Sequence, residues 1–452
     1  MSAPATAPPE DTTDAPSDAT AEAPPDKTDV TADAPPDKTD VAADTLPEKS
    51  TDAPPEAAPD QPVTASADDR DGAARTRWRA RLRSAGRAAA PALLAYLAVR
   101  AVGLIILFIS ARRTGTDLSW LLTGRFDANW YQQIADRGYD PALQPAPDGG
   151  FRPTNLAFFP LYPALIAALT AISPLSSAVA GLLVSWLSAL AAAAAMYAIG
   201  AHLRSRATGV LLAALWGVVP HAVVQSMAYS EQLFTALAAW TLYAVLRRQW
   251  LPAGALCLLT GLARPTANAV IAAVGLAALV AIVRRRDGWR PWVAAALAPL
   301  GYLGYLAWLA QHLGRPDAYF HLQREAWHIT FDGGADTLRV MGEVLTGDSP
   351  LSFYMVTLVI VVAIALMLLL VLHRYPLPLV AYSLASVVFV FGAAGSYYGK
   401  GRYLMPVFTL LLPAAVGLAG ARRRTQVVVL ILLALVSGWY GAYLTLVWHR
   451  SP

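Results

Sequence analysis

Beyond residue 88 the chain alternates long apolar runs with short polar or basic breaks. Eleven runs stand out, at 89–109, 178–200, 207–224, 229–246, 251–264, 266–283, 292–312, 351–372, 376–394, 404–421 and 425–447. A helix of about 20 apolar residues crosses the hydrocarbon core of a bilayer. The pattern therefore predicts an all-α, polytopic membrane protein with about 11–12 transmembrane helices. The pair over 251–283 is short for two crossings and predicts a tight or tilted hairpin. A further apolar run, LAFFPLYPALIAALTAI at 156–172, carries Pro160 and Pro163 at its head. Those prolines lack backbone donors and open the first turn of a helix. The run predicts a re-entrant or half-inserted helix beside a cavity, with an ordinary kinked span as the alternative. Between the first two runs, Phe126, Trp130, Ile134 and Gly138 recur every four positions. That spacing predicts an amphipathic helix lying along the membrane surface, aromatic face down.

Charge orients this scaffold. Seven arginines (Arg70, Arg75, Arg77, Arg79, Arg81, Arg83 and Arg87) precede the first run, and further basic clusters fall at Arg204/Arg206, Arg247/Arg248, Arg284–Arg286, His373/Arg374 and Arg422–Arg424. Cytoplasmic loops collect such residues, so the N-terminus is expected inside and the C-terminus outside a cell membrane. Kept whole, the 156–172 run would break that parity. The first arginine cluster can also touch anionic headgroups. Thirteen acids lie beyond residue 88, and only Asp287 falls in an expected cytoplasmic loop. The polar chemistry is thus expected on the extracytoplasmic face.

Composition changes the picture only at the start. Residues 1–69 are rich in Pro, Ala, Thr and acids, and repeat APPDKTDV at 23–30 and 34–41. Such a tail buries too little apolar surface to offset its ordering entropy and is expected to be disordered and cytoplasmic. It has no cationic start and apolar core, so it is not expected to be a cleavable signal. Residues 70–88 then form a basic juxtamembrane segment, and 89–450 the membrane domain. Cys257 is the single cysteine, which rules out an internal disulfide.

Few groups remain for chemistry. Asp127 sits beside Trp130 and Tyr131, flat surfaces suited to sugar rings, with Asp136 nine residues on. The bland alternative for Asp127 is an N-cap. Tyr229-Ser230-Glu231 breaks an apolar stretch, and an ionisable residue near membrane depth is a functional candidate; an interfacial loop glutamate is the alternative. Arg264, Lys400 and Arg402 lie in expected outer turns, against the orientation rule. A phosphate partner explains them, Arg by a two-pronged contact and Lys as a point charge; pairing with loop acids is the alternative. Arg100, inside the first run, either snorkels to the interface or holds a lipid phosphate. No phosphate-cradling glycine loop, HExxH or Cys/His cluster is present. His321 and His328 share a loop without a third ligand, so no metal site is expected; dependence on a divalent ion stays open. Nucleic acid is not an expected partner.

Taken together, residues 95–410 resemble the PIG-V family, the second mannosyltransferase of GPI-anchor assembly, and its bacterial relatives. The resemblance rests on Phe126-Asp-Ala-Asn-Trp-Tyr-Gln-Gln-Ile-Ala-Asp-Arg-Gly-Tyr139, Ala157-Phe-Phe-Pro-Leu-Tyr-Pro163, Tyr229-Ser-Glu231, Leu262-Ala-Arg-Pro-Thr266 and Arg402-Tyr-Leu-Met-Pro406. Phe126 stands where the family usually has Trp. The resemblance implies a GT-C-like membrane glycosyltransferase with an extracytoplasmic site. It implies a polyprenyl-phosphate-linked donor, most often of mannose, and inversion at the anomeric carbon. Asp127 carries over as the catalytic carboxylate, a base in the first outer loop, with Glu231 second and Asp136 as fallback. Trp130, Tyr131, Tyr139, Tyr229, Arg264, Lys400 and Arg402 are the expected substrate-binding residues. The expected partners are membrane lipid, the lipid-linked donor and a glycolipid or protein acceptor; the GPI pathway itself does not follow. Two rivals stay open: a lipid-linked sugar flippase or secondary transporter, and a catalytically inactive scaffold.

Overall fold

The computed structural model describes residues 67–147 and 149–452, with side chains from residue 84 onward except residue 85. The acidic tail and most of the basic segment's side chains lie outside the described residues. Helices dominate, and the one sheet among the described residues pairs Thr330–Phe331 with Ala393–Ala394, antiparallel.

Six helices are long and apolar enough to cross a bilayer: Gly86–Thr114, Ser177–Leu203, Pro265–Val283, Arg290–Leu313, Leu351–Leu372 and Arg423–Leu446. The chain is a multi-pass membrane protein. A bent pair, Tyr397–Leu404 and Phe408–Ala419, makes a seventh if counted as one span. The eleven or twelve crossings expected from apolar runs are therefore not all full-length helices. Leu377–Gly392 has 16 residues and Trp250–Gly261 has 12, rising only about 24 and 18 Å. An apolar run reports burial, and a buried core segment satisfies the pattern without crossing.

The run over 207–246 shows this most clearly. It forms a helix only over Arg206–Trp216, then a turn through Pro220, a short 3-10 helix at Ala222–Ser226, and the helix Glu231–Leu246. Non-helical backbone at this depth survives because the protein itself satisfies it. The Gln225 amide donates to the Trp216 carbonyl at 2.8 Å, and the Gln232 amide to that of Val224 at 2.5 Å. Arg100 donates to the Gly217 carbonyl at 3.2 Å and to Ser226 Oγ at 2.5 Å. It is buried and closes the end of a broken helix, where the sequence offered snorkelling or a lipid-phosphate contact.

Helix Leu161–Ile172 is 12 residues long and rises about 18 Å, in keeping with half-insertion. Its first N–H bonds the Leu262 carbonyl at 2.9 Å, tying it to the turn that carries Arg264. The bend near Pro406 is 68°, where proline removes a backbone donor. Carbonyls beside it are taken up by Trp216 Nε1 (to Met405, 3.1 Å) and Tyr382 OH (to Pro406, 3.0 Å).

The core is rich in alanine, and helices Ser177–Leu203, Arg206–Trp216 and Glu231–Leu246 pack through small residues. A Cβ on Gly200 would come within 2.6 Å of Gly209 Cα, so the first two of these helices meet backbone to backbone. Small residues permit this approach between membrane helices, where packing replaces the hydrophobic drive.

Candidate active site

The surface helix predicted around 126–138 forms at Asp127–Arg137, but its buried face differs from the expected one. Ala128, Tyr131 and Ile134 are buried, and the helix packs against Leu161–Ile172 and Ser177–Leu203. The face runs through Tyr131, about 100° around the helix from Trp130. It meets protein where membrane surface was expected. The preceding residue, Phe126, has φ 52° and ψ −122°, a strained position for a bulky side chain. Its ring lies under the Arg125 guanidinium, 4.6 Å from the centroid.

No side chain caps this helix, which sets aside the N-cap alternative for Asp127. Instead, Asp127 Oδ2 lies 3.0 Å from Arg402 Nη1. The same guanidinium reaches Glu231, with Nε 3.4 Å from Oε1. Arg264 Nη1 holds the other Glu231 oxygen at 2.8 Å and donates to Ser230 Oγ at 2.9 Å. The Tyr131 hydroxyl lies 2.5 Å from that same Ser230 oxygen. Four separate segments thus converge on two carboxylates and two guanidinium groups. Tyr229 and Tyr403 stack against Arg402 at 5.5 and 5.3 Å, and Ser451 Oγ accepts from its Nη1 at 2.8 Å.

Burial of the four side chains is deep: 14% exposed for Asp127, 1% for Glu231, 6% for Arg402 and 10% for Arg264. Desolvating each ion costs several kcal/mol, and well-packed apolar residues would serve stability as well or better. A neutral quartet kept at that cost points to chemistry. Burial pushes the Asp127 carboxyl above its ordinary range; Arg402 pulls it back and the Glu231 charge adds to the rise.

The quartet borders a cavity of about 480 Å³. Asp127, Arg264 and Arg402 line it, while Glu231 lies behind them. Much of the remaining wall is aromatic, including Phe158, Phe159, Tyr319 and Trp327. Mostly apolar walls with a few converging polar groups are the usual form of a small-molecule site.

The other expected residues scatter. Tyr229 adjoins the quartet, its hydroxyl donating to the Arg125 carbonyl at 3.4 Å. Trp130 stands behind the cavity wall, against Phe158 at 6.0 Å and Trp327 at 5.8 Å. Tyr139 donates to the Phe158 carbonyl at 2.8 Å and packs on Trp308. Asp136 is exposed and accepts from Ser177 Oγ at 3.0 Å, away from the quartet. Lys400 is buried and donates to the Val390 carbonyl at 2.8 Å and to that of Ala393. It closes the C-terminal end of helix Leu377–Gly392 and does not line the cavity.

Of the wall residues, Phe158 and Thr266 fall in the PIG-V-like motifs without an assigned role, and Tyr319, Gln323 and Trp327 were not singled out from sequence. The aromatic density of 319–331 was the available signal. His221 was missed too: its ring lies where a Cβ on Gly401 would stand, so only glycine fits beside Arg402. His321 packs on Phe151 at 5.6 Å, and no group of three or more His, Cys, Asp or Glu among the described residues is placed to hold a metal ion.

No family model matches the chain, and no curated protein sequence matches it. The resemblance to PIG-V proteins therefore rests on the motif residues themselves. Among solved structures the chain is similar to ArnT from Cupriavidus metallidurans bound to undecaprenyl phosphate, at 13% identity and TM-score 0.48, over 75% of this chain and 63% of that one. It is also similar to the Archaeoglobus fulgidus oligosaccharyltransferase tethered to an acceptor peptide, at 13% identity and TM-score 0.39, over 78% of this chain and 55% of that one. The chain thus spans less than two thirds of either. Neither likeness assigns a role to any residue.

Proposed function

We propose that this chain is a GT-C-like membrane glycosyltransferase. It moves a sugar, mannose by the likeness of its motifs to PIG-V proteins, from a polyprenyl-phosphate donor to a hydroxyl of a glycolipid, glycan or protein. The site faces the extracytoplasmic side, as the positions of the acids and basic clusters favour. One observation carries the proposal: Asp127 and two arginines line a single aromatic cavity, with Glu231 holding both guanidinium groups from behind.

In the reaction, Asp127 takes the proton from the acceptor hydroxyl as its oxygen attacks the anomeric carbon. The bond from that carbon to the phosphate oxygen breaks, its electron pair leaves with the lipid phosphate, and the configuration inverts. Arg264 and Arg402 stabilise the departing charge, the kind of preorganised electrostatic term that is commonly largest in a water-poor site. Glu231 is a positioning residue: nearly fully buried and off the cavity wall, it fixes both guanidinium groups. Asp127 uses one oxygen for Arg402, leaving the other to meet an acceptor.

The test is transfer of label from polyprenyl-phosphate-mannose to a new glycosidic bond by membranes carrying the wild type. Movement of the labelled donor across proteoliposomes with no such bond would contradict the proposal in favour of transport. Activity that returns only with a second protein would point to a scaffold.

A further inference from the structure

The cavity carries polar atoms that the quartet does not engage. The Thr266 hydroxyl and the Trp327 indole N–H are both buried without a hydrogen-bond partner, and both residues line the same cavity as Asp127. Buried polar groups in folded proteins are nearly always bonded, so each orphan calls for an explanation. Trp327 is held edge-on against Trp130 and Phe158, at 5.8 and 5.6 Å, which fixes where its N–H points. Gln323 lines the cavity nearby in sequence, its amide donating to the Tyr319 hydroxyl at 3.1 Å.

The chemistry of this part narrows the ligand. Thr266, Gln323 and Trp327 are neutral; of the cations on the cavity wall, Arg324 is paired with Glu325 at 2.8 Å, and Arg264 and Arg402 are paired with Glu231 and Asp127. An anion gains little here compared with the guanidinium groups of Arg264 and Arg402. An alkyl chain would leave both orphans unpaired. A hexose ring fits both features, because it offers hydroxyls at its edge and C–H bonds on its faces. Thr266 follows Arg264 by two residues across a proline turn, so a phosphate at Arg264 leaves its sugar near the threonine.

We propose that Thr266 and Trp327 form the subsite for the sugar ring of the lipid-phosphate donor, bonding its hydroxyls, with Phe158 packing its C–H face. This rests on the glycosyltransferase reading above. The subsite sets which sugar the protein accepts, while the arginines bind the phosphate common to all such donors.

The experiment uses the full chain in nanodiscs and compares the Kd for polyprenyl-phosphate-mannose with that for bare polyprenyl phosphate. The ratio isolates what the sugar adds. In the wild type the mannosyl lipid binds more tightly. Trp327→Phe keeps the ring and removes the N–H; Thr266→Val keeps the shape and removes the hydroxyl. Each is expected to shrink the ratio by about threefold to tenfold, the effect of one neutral hydrogen bond, with bare-lipid affinity unchanged as proof of folding. A ratio of one in the wild type, or a ratio that neither variant alters, overturns the subsite. Label transfer measured on the same preparations separates the two ideas. Transfer absent in the wild type defeats the glycosyltransferase reading, whereas transfer intact with an unaltered ratio defeats the subsite alone.

Discussion

Removing Arg402 should expose how the quartet is balanced. Arg402→Met keeps the stem's packing but strands Asp127, and leaves Glu231 with Arg264 alone. At 3.0 Å, the Asp127 pair interacts by about 5–6 kcal/mol at an effective dielectric of about 20. Breaking a buried pair by removing one partner costs about 3–5 kcal/mol, because the other charge is left uncompensated. Adding Asp127→Asn removes that stranded charge. The double variant should therefore be more stable than Arg402→Met alone, with a coupling of at least about 1 kcal/mol. The assay is denaturant or thermal unfolding of detergent-purified protein, followed by tryptophan fluorescence, for the wild type, both single variants and the double. Additive losses, or a double variant less stable than either single one, would refute the argument that the two side chains act as one buried pair.

Three further outcomes follow. Burial raises the Asp127 carboxyl and Arg402 restrains it; transfer should therefore fall as pH drops and the carboxyl protonates. In Arg402→Lys, where the charge is less well aimed, that acid limb should move to higher pH in pH–rate profiles, and an unmoved limb would detach Asp127 from proton transfer. Lys400→Met leaves the Val390 and Ala393 carbonyls without their donor, so thermal stability should drop by about 1–3 kcal/mol while transfer per folded molecule stays near wild type; a selective loss of donor binding would return Lys400 to the site. Asp136→Asn should keep transfer within about twofold, as suits an exposed surface change, measured on membranes at matched expression.

Much of the site was legible because its residues depart from their surroundings: Glu231 and Arg264 interrupt apolar stretches, Asp127 stands beside aromatics between the first two runs, and Arg402 is a cation in an expected outer turn. The structure brings these four together. Pairing of Arg264 and Arg402 with acids was the sequence's alternative to a phosphate, and the structure shows it; which partners meet was not legible, since ion pairs spanning more than a hundred residues leave no mark in local periodicity. Lys400 and Arg402 show the limit at short range. They are two residues apart on one short helix, so their side chains face opposite ways, one to backbone carbonyls and one to the carboxylates. On the surface helix the fourfold spacing located the element and put Ile134 on its buried face, but that face runs through Tyr131, about 100° from Trp130. Apolar runs over 207–246 and 251–264 likewise predicted spans where the chain folds short or broken helices, because burial inside protein and burial in lipid select the same residues.

The central claim is that the Asp127 carboxylate, on the wall of the aromatic cavity, removes the acceptor's proton during sugar transfer. The direct measurement is the rate of label transfer from polyprenyl-phosphate-mannose by equal amounts of folded wild type and Asp127→Asn. A positioned base contributes about 10²–10⁴-fold, so the variant should be slower by at least 10²-fold with donor binding retained. An Asn variant that transfers mannose at the wild-type rate would contradict the account.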